Sequence, residues 1–200
     1  MKWLGEADLA GIYGEPKPAA TRKVADRLTP DYAAFLRAAR FCVLSTVGPE
    51  GTDGSPRGDD GPVVRIVDGR HLALPDWRGN DRIDSLRNIL RDGRVSLMFL
   101  IRGSNTVIRV NGQARLTDDA GLRADFAREG KLPRTVIVVR IGEIYFQCAR
   151  AVMRAGLWSG ADDSDGLATP GQILAGMTGG EVGGAGYDAE WPGRAALTMW

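Results

Sequence analysis

The chain has 200 residues, of which 44% are hydrophobic and 26% are charged, and its formal net charge is +1. A chain of this length suits one domain, or one domain with a tail, and is long enough to bury a sizeable core. The balanced charge argues against a nucleic-acid binder, because proteins that bind the phosphate backbone usually carry a strong positive excess or a positive stripe.

Membrane, secretion and metal functions are also not expected. No apolar run reaches the ~20 residues that a membrane span needs, and the N-terminal segment carries acids and prolines, unlike a signal peptide, so a cytoplasmic location is expected. Cys42 and Cys148 lie far apart in apolar runs, which predicts two buried thiols and no disulfide framework or metal cluster. His71 is the single histidine, so a zinc site is not expected.

The sequence of the first half of the chain predicts two helices and several strands. A short helix is expected near residues 6–12. A second helix is predicted over 29–40, because Thr29 can cap it, Pro30 suits its first turn and its apolar side chains share one face. There follow, in order, a strand at 41–47, a turn at 48–51, a polar stretch at 52–62, and a hairpin of strands 63–68 and 71–75.

The second half alternates helices and strands before a glycine-rich end. An amphipathic helix is predicted to begin near Asn80 or Asp81, either of which can cap it, and to end at Gly93. There follow a central strand at 95–101, a long strand at 106–117, a helix opened by Thr117 and Asp118, and a strand at 134–148 with room for a bulge near Gly142. After residue 160 only a short helix at 170–177 is predicted, and the rest is expected to be loop or tail.

The pattern predicts a mainly β (α+β) fold. Six or seven strands are joined mostly by hairpins, which favours an antiparallel sheet or barrel over a doubly wound sheet. We expect residues 1–160 to form the domain and residues 161–200 to form a tail that packs on it or acts as a lid.

The stretch LPDWRGNDR, residues 74–82, predicts a phosphate site at the start of a helix. A helix N-terminus offers unpaired N–H groups and binds anions, Arg78 and Arg82 add fork-like donors, and Gly79 allows close approach of a ligand. Ser55 and Arg57, from SPRGDD at 55–60, could join them. The alternatives are that the arginines are solvated and that Asp59 and Asp60 pair with Arg57 on the surface.

Together these motifs resemble the pyridoxamine 5'-phosphate oxidase-like flavoproteins, the FMN-binding split barrels. The resemblance rests on the stretches RFCVLSTVGPEGTDGSPRGD (40–59), VRIVDGRHLALPDWRGNDRIDSLRNIL (64–90), VSLMFLIRGSNTVIRVNGQARLT (95–117) and IYFQCARAVMRAGLW (144–158). It implies a six-stranded antiparallel split β-barrel with flanking helices, assembled as a homodimer with FMN at the interface.

The resemblance also implies which residues hold FMN. Ser55 and Arg57 would sit on the strand under the phosphate and ribityl chain, and the backbone of Leu74, Pro75 and Asp76 would run along the flavin ring. Arg78, Asn80 and Arg82 would complete the phosphate site, and Arg150, Arg154 and Trp158 would approach from the partner subunit. The alternative for the last three is a basic helix end with a tryptophan packed on the barrel.

The implied activity is that of an FMN-dependent oxidoreductase acting on an unidentified small organic substrate, with NAD(P)H as a possible electron donor. The chain ends in WPGRAALTMW and lacks the basic C-terminal motif of the true pyridoxamine phosphate oxidases, so pyridoxamine phosphate is not the expected substrate. Two alternatives stay open: a flavin-binding stress or redox-sensing protein without turnover, and a deazaflavin-dependent reductase on the same fold. A lone histidine makes haem a poor expectation.

Overall fold

The computed structural model describes residues 1–200 and contains seven strands and eight helices. The strands are β1 (Phe41–Gly48), β2 (Gly51–Gly58), β3 (Arg65–Ile66), β4 (His71–Asp76), β5 (Arg94–Leu100), β6 (Val107–Thr117) and β7 (Thr135–Gln147). The helices are α1 (Glu6–Ile12), α2 (Pro18–Arg22), α3 (Pro30–Ala38), α4 (Asp84–Arg91), α5 (Ala120–Ala124), α6 (Arg150–Arg154), α7 (Pro170–Thr178) and α8 (Gly184–Thr198).

The strands form one antiparallel sheet in the order β2-β1-β5-β6-β7-β4-β3. Successive side chains of a strand point to opposite faces, and the inward residues of β1, β5, β6 and β7 are buried and, apart from Cys42 and Thr46, mostly aliphatic or aromatic. They join residues of α3 and α4 in one core of 19 buried residues. The predicted mainly β fold with flanking helices is therefore confirmed, with seven strands where six were expected.

The sheet curls so far that its edge strand β2 comes to face the end of β4. Arg57 on β2 forms an ion pair with Asp76 on β4 across this gap, although four strands lie between them in the sheet order. No strand pairing closes the gap, so the barrel is split along this line. β3 pairs only with Leu72 and Ala73, which leaves the rest of β4 without a strand on its outer side.

Two local predictions are confirmed. The hydroxyl of Thr29 accepts a hydrogen bond from the Tyr32 N–H at the start of α3. The register between β6 and β7 shifts at Gly142, which is the extra residue of a bulge. At that point Gly112 lies so close to β7 that a Cβ would meet the Arg140 carbonyl oxygen at 2.1 Å, and only glycine fits.

Three predictions are wrong. In addition, the residue pattern did not identify a strand in the polar stretch 52–62, which contains β2, although the resemblance implies a strand at Ser55 and Arg57. Helix α4 begins at Asp84, and neither Asn80 nor Asp81 caps it, because Asp81 and Ile83 adopt left-handed backbone angles (φ 58° and 53°) that interrupt a helix. Part of the predicted loop after residue 178 is the 15-residue helix α8. Cys148 is exposed, because β7 ends at Gln147 and leaves it outside the sheet.

No helix in the structure has both the length and the apolar character that crossing a bilayer requires.

Candidate functional site

A cleft of about 1090 Å³ opens along the split between β2 and β4. This volume is at the upper end of the range for small-molecule and cofactor sites, roughly 300–1000 Å³. Its walls are β2, the end of β4, the loop at 77–83, the first turn of α4 and the start of β7, and Met199 and Trp200 from the C-terminus also line it.

The β2 wall presents polar side chains on the concave face of the sheet. Asp53, Ser55 and Arg57 are half-buried, whereas the residues between them are exposed. Directly opposite residues of paired strands share a face, and Arg57 pairs in register with the buried Cys42. The hydroxyl of Ser85 in α4 donates to the Asp53 carboxylate at 2.5 Å. β2 therefore replaces the apolar lining of the barrel with polar groups at this edge.

Arg57 lies at the centre of the cleft and is only partly satisfied. Its Nη1 donates to Asp76 Oδ1 at 2.6 Å, and the two side chains are only 18% and 14% exposed. Its Nε is buried without a hydrogen-bond partner, and so is the hydroxyl oxygen of Thr135, which stands directly opposite Asp76 on β7. Buried polar groups are nearly always paired, so these two unpaired atoms, both of residues that line the cleft, are candidates to bind a ligand there.

The other guanidinium groups of the cleft differ in how far carboxylates neutralise them. Arg82 is 76% exposed and forms an ion pair with Asp84 at 2.8 Å, and Arg134 pairs with Asp81 at 2.6 Å. Arg78 makes no ion pair and no hydrogen bond within the chain, so it is the one cleft arginine free for an external anion. Asn80 accepts a hydrogen bond from the Arg82 backbone N–H at 3.2 Å.

Asp59 organises the end of the cleft next to the C-terminus. Its side chain is 4% exposed, and it accepts hydrogen bonds from Trp77 Nε1 at 3.2 Å and from Arg128 Nη2 at 3.0 Å. Asp60 also pairs with Arg128, at 2.8 Å. The expected alternative, in which Asp59 and Asp60 pair with Arg57, is therefore wrong, because Arg128 arrives from the segment before β7 and takes both carboxylates.

The cleft brings together most of the site residues expected from the sequence. Those that line it are Ser55, Arg57, Leu74, Pro75, Asp76, Arg78, Asn80 and Arg82. Arg78, Asn80 and Arg82 lie in a loop ahead of α4 and not on the helix start itself, because α4 begins at Asp84. Their predicted contacts with FMN stay predictions.

Arg150, Arg154 and Trp158 lie outside the cleft of their own chain. The two arginines are exposed at the ends of α6 and form no ion pair, and Trp158 Nε1 donates to the Ser104 carbonyl oxygen at 2.8 Å. Their expected role was in the partner's site, so this placement leaves that prediction open.

Sequence reasoning missed Thr135, Arg134 and Trp200 as cleft residues. Thr135 and Arg134 could have been found only from the pairing of β4 with β7, which places them beside Asp76. The aromatic Trp200 within a predicted tail was the available signal for a residue that packs on the domain.

The protein is therefore an antiparallel split β-barrel with a polar cleft along its opening. A comparison with protein families finds that residues 28–148, more than half of the chain, match the pyridoxamine 5'-phosphate oxidase family. The chain belongs to this family, which is one of flavin-type oxidoreductases. The suspected family is thus confirmed.

Solved structures give weaker matches. HupZ of Group A Streptococcus is 17% identical, with a TM-score of 0.49 over 60% of this chain and 93% of that one. An FMN-binding protein from Syntrophomonas wolfei subsp. wolfei is 16% identical, with a TM-score of 0.44 over 58% and 88% of the two chains. An F420 reductase is 18% identical, with a TM-score of 0.45 over 58% and 98%. No curated protein matches the chain.

Proposed function

We propose that the protein is an FMN-dependent oxidoreductase that acts on a small organic substrate, with FMN held in the cleft. The family supports flavin chemistry in general. The observation that carries the assignment to this cleft is the pair of buried polar atoms without partners, Arg57 Nε and Thr135 Oγ1. They are the two such side-chain atoms in the chain, and both belong to residues that line the cleft.

The cleft fits FMN in its polar groups. A phosphate ester and a flavin ring carry several hydrogen-bond acceptors, which suit Arg57 Nε, the Ser55 hydroxyl and the Thr135 hydroxyl. Arg78 supplies a cation that no carboxylate neutralises, and a guanidinium matches phosphate geometry. Burial of a ligand acceptor against Arg57 Nε would also remove the energetic cost of an unpaired buried donor, about 1–3 kcal/mol.

Each part of the cleft has a separate task in this proposal. Arg78, Asn80 and Ser55 hold the phosphate, and the ion pair between Arg57 and Asp76 fixes the width of the split. The outer side of β4 from Leu74 to Asp76, including the N–H-free Pro75, has no strand beside it and offers the flavin a flat wall. When bound, FMN supplies the redox chemistry, and the protein supplies binding, orientation and the exclusion of side reactions.

The proposal includes a homodimer in which each subunit completes the other's site. Arg150 and Arg154 have no ion-pair partner in their own chain, and Trp158 is exposed next to them. In the partner's cleft they would add positive charge and an aromatic face. The lining of one chain's cleft contains more aspartates than arginines, so cations from a second chain would favour a dianionic ligand there.

The decisive first experiment is to purify the protein and identify the pigment that it carries. Released FMN supports the proposal, released deazaflavin points to a reductase on the same fold, and a colourless protein that takes up neither contradicts it. NAD(P)H oxidation with candidate acceptors then separates an enzyme from a flavin-binding protein without turnover.

Arginine variants test the cleft itself. Arg78→Ala should weaken FMN binding by about 10- to 100-fold, since a charge-assisted hydrogen bond contributes about 1.5–3 kcal/mol. Arg57→Ala should also lower FMN occupancy. Arg91→Ala is the matched control, because Arg91 pairs with Glu50 away from the cleft and its loss changes the net charge equally. Isothermal titration with FMN measures all three; equal affinities for Arg78→Ala, Arg57→Ala and the control would contradict this site.

A further inference from the structure

The C-terminus of the chain reaches the mouth of the cleft. Met199 and Trp200 line the same cavity as Arg57 and Arg78. The Trp200 ring packs edge-to-face against Trp77, with 5.3 Å between ring centroids and 73° between the ring planes. Such geometry is favourable for aromatic pairs, so Trp200 is docked at the mouth of the cleft.

A buried carboxylate positions both groups that contact Trp200. The Arg128 guanidinium lies 5.9 Å from the centre of the Trp200 ring, which is within the range of a cation–π contact. Asp59 binds Arg128 and also Trp77, the other neighbour of Trp200. The position of the Trp200 ring is therefore coupled to a single buried side chain on the wall of the cleft.

The rest of the C-terminal segment is joined only loosely to the barrel. Between residues 162–200 and residues 1–160 there is one hydrogen bond, from Lys131 Nζ to the Leu197 carbonyl oxygen at 3.5 Å, and no ion pair. α8 has no buried residue. A segment with few buried contacts opens at a low free-energy cost, so the Trp200 contact can open and close while the barrel stays folded.

α7 and α8 are nevertheless tied firmly to each other. Asp188 of α8 accepts hydrogen bonds from the Thr169 hydroxyl at 2.5 Å and from the Gly171 N–H at 2.8 Å. A Cβ on Gly171 would meet the Gly184 carbonyl oxygen at 2.4 Å, so the two helices approach as closely as glycine permits. The pair can therefore move as a unit that carries Trp200, which follows α8.

We propose that Trp200 is a specificity-determining residue of the flavin site. Carried by the α7–α8 unit, its ring covers the mouth of the cleft from within the same chain, and its departure from Trp77 admits the substrate. The proposal rests on the proposed function, since it presumes that the cleft holds FMN. It predicts that Trp200 limits the size of the acceptor or donor that reaches the flavin.

The test compares Trp200→Ala with Trp191→Ala in the FMN-loaded protein. Trp191 is 57% exposed on α8, the helix that precedes Trp200, and does not line the cleft, so its loss removes an equal side chain without opening the mouth. Iodide should quench the fluorescence of bound FMN about fivefold more strongly in Trp200→Ala than in the wild type. A fivefold change in the ratio of closed to open molecules corresponds to about 1 kcal/mol, which is the contribution of one aromatic pair. Trp191→Ala should match the wild type.

Asp59→Asn provides a second variant, and it should increase quenching in the same direction because it weakens both groups that hold the ring. Equal quenching constants in the wild type and Trp200→Ala, with FMN bound in both, would overturn the role of Trp200 and leave the proposed function intact.

Hydrogen exchange in the ligand-free protein separates the two failures. Trp200→Ala should speed exchange in the loop at 77–83 and in residues 195–200, whether or not FMN binds. If the wild type retains no FMN, the proposed function is contradicted. If hydrogen exchange in Trp200→Ala is the same as in the wild type, the docking of Trp200 is contradicted.

Discussion

Cys42 on β1 and Arg57 on β2 are directly opposite each other, but Cys42 is buried in the core and Arg57 lines the cleft. Burial raises the pKa of the Cys42 thiol to about 12, against the positive charge of Arg57, which lowers it. At Cys148, which is exposed, a hydrogen bond from the Arg150 N–H lowers the pKa instead. The thiolate is the reactive form of cysteine, so the two thiols should differ sharply in reactivity.

Alkylation with iodoacetamide at pH 8 should label Cys148 and leave Cys42 unmodified, because Cys42 stays a buried neutral thiol at this pH. Mass spectrometry of the two cysteine peptides measures the difference. Unfolding in urea supplies the control, since both thiols should then react at similar rates. Labelling of Cys42 in the folded protein at the rate of Cys148 would mean that the β1–β2 edge opens readily.

Single residues of the site were predictable from the sequence, but their partners were not. The spacing of arginines and glycine in 74–82 indicated an anion site, and those residues do line one cleft. That Arg57 pairs with Asp76, and Arg128 with Asp59, depends on how far the sheet curls. Such contacts join residues that are distant in the chain, and local patterns carry no information about them.

At the scale of the element, prediction failed where a segment departs from the usual composition. β2 has no alternating apolar residues, because its inward face lines the polar cleft, and Pro56 is tolerated because β2 is an edge strand. α8 contains Pro192 and several glycines, which disfavour helices, and it is held by its contacts with α7. Elements with an apolar stripe, such as α3 and α4, were predicted correctly in kind.

The loop ahead of α4 holds a backbone conformation that its sequence disfavours. Ile83 is β-branched, and its φ of 53° is in the left-handed region, which costs a residue with a Cβ about 1–2 kcal/mol. Strain of this kind is concentrated at functional sites, and Ile83 lines the cleft. The left-handed conformation of Ile83 therefore lowers the stability of the fold, in the same loop that carries the cleft residues Arg78 and Asn80.

Glycine at this position should relieve the strain. Ile83→Gly is expected to have a free energy of unfolding about 1 kcal/mol higher than Ile83→Ala, because both remove the same side chain and only alanine keeps the left-handed cost. Urea denaturation of the two variants measures the difference. If Ile83→Ala is the more stable of the two, the loop does not hold this conformation in solution.

At the scale of the whole molecule, the convex face of the sheet is covered over β4 and β7, where Ala73 and Val136 pack with Phe126, but it is left without a cover over β1 and β5. Phe41 and Val43 of β1 stand opposite Leu100 and Met98 of β5, and because their neighbours in each strand point into the core, these four point outward. Phe41 and Met98 are 40% and 39% exposed. A contiguous exposed apolar patch commonly marks a protein–protein interface, which agrees with the proposed homodimer.

Met98→Glu should dissociate such a dimer without unfolding the chain. Burying an unpaired carboxylate in an apolar interface costs several kcal/mol, whereas in the single chain the new carboxylate faces water beside Arg109, its opposite residue on β6. Sedimentation velocity should show a dimer for the wild type and a monomer for the variant. Val67→Glu, an exposed apolar residue in the β3–β4 hairpin, is the control and should remain dimeric.

The same variant also tests whether two chains share one flavin site. If Arg150, Arg154 and Trp158 of the partner subunit complete the cleft, Met98→Glu should lose FMN at protein concentrations where the wild type and Val67→Glu retain it. A monomeric Met98→Glu that binds FMN as tightly as the wild type would show that each cleft is complete in one chain. The acidic lining would then need another explanation, since Arg78 would be the single unneutralised cation that faces the phosphate.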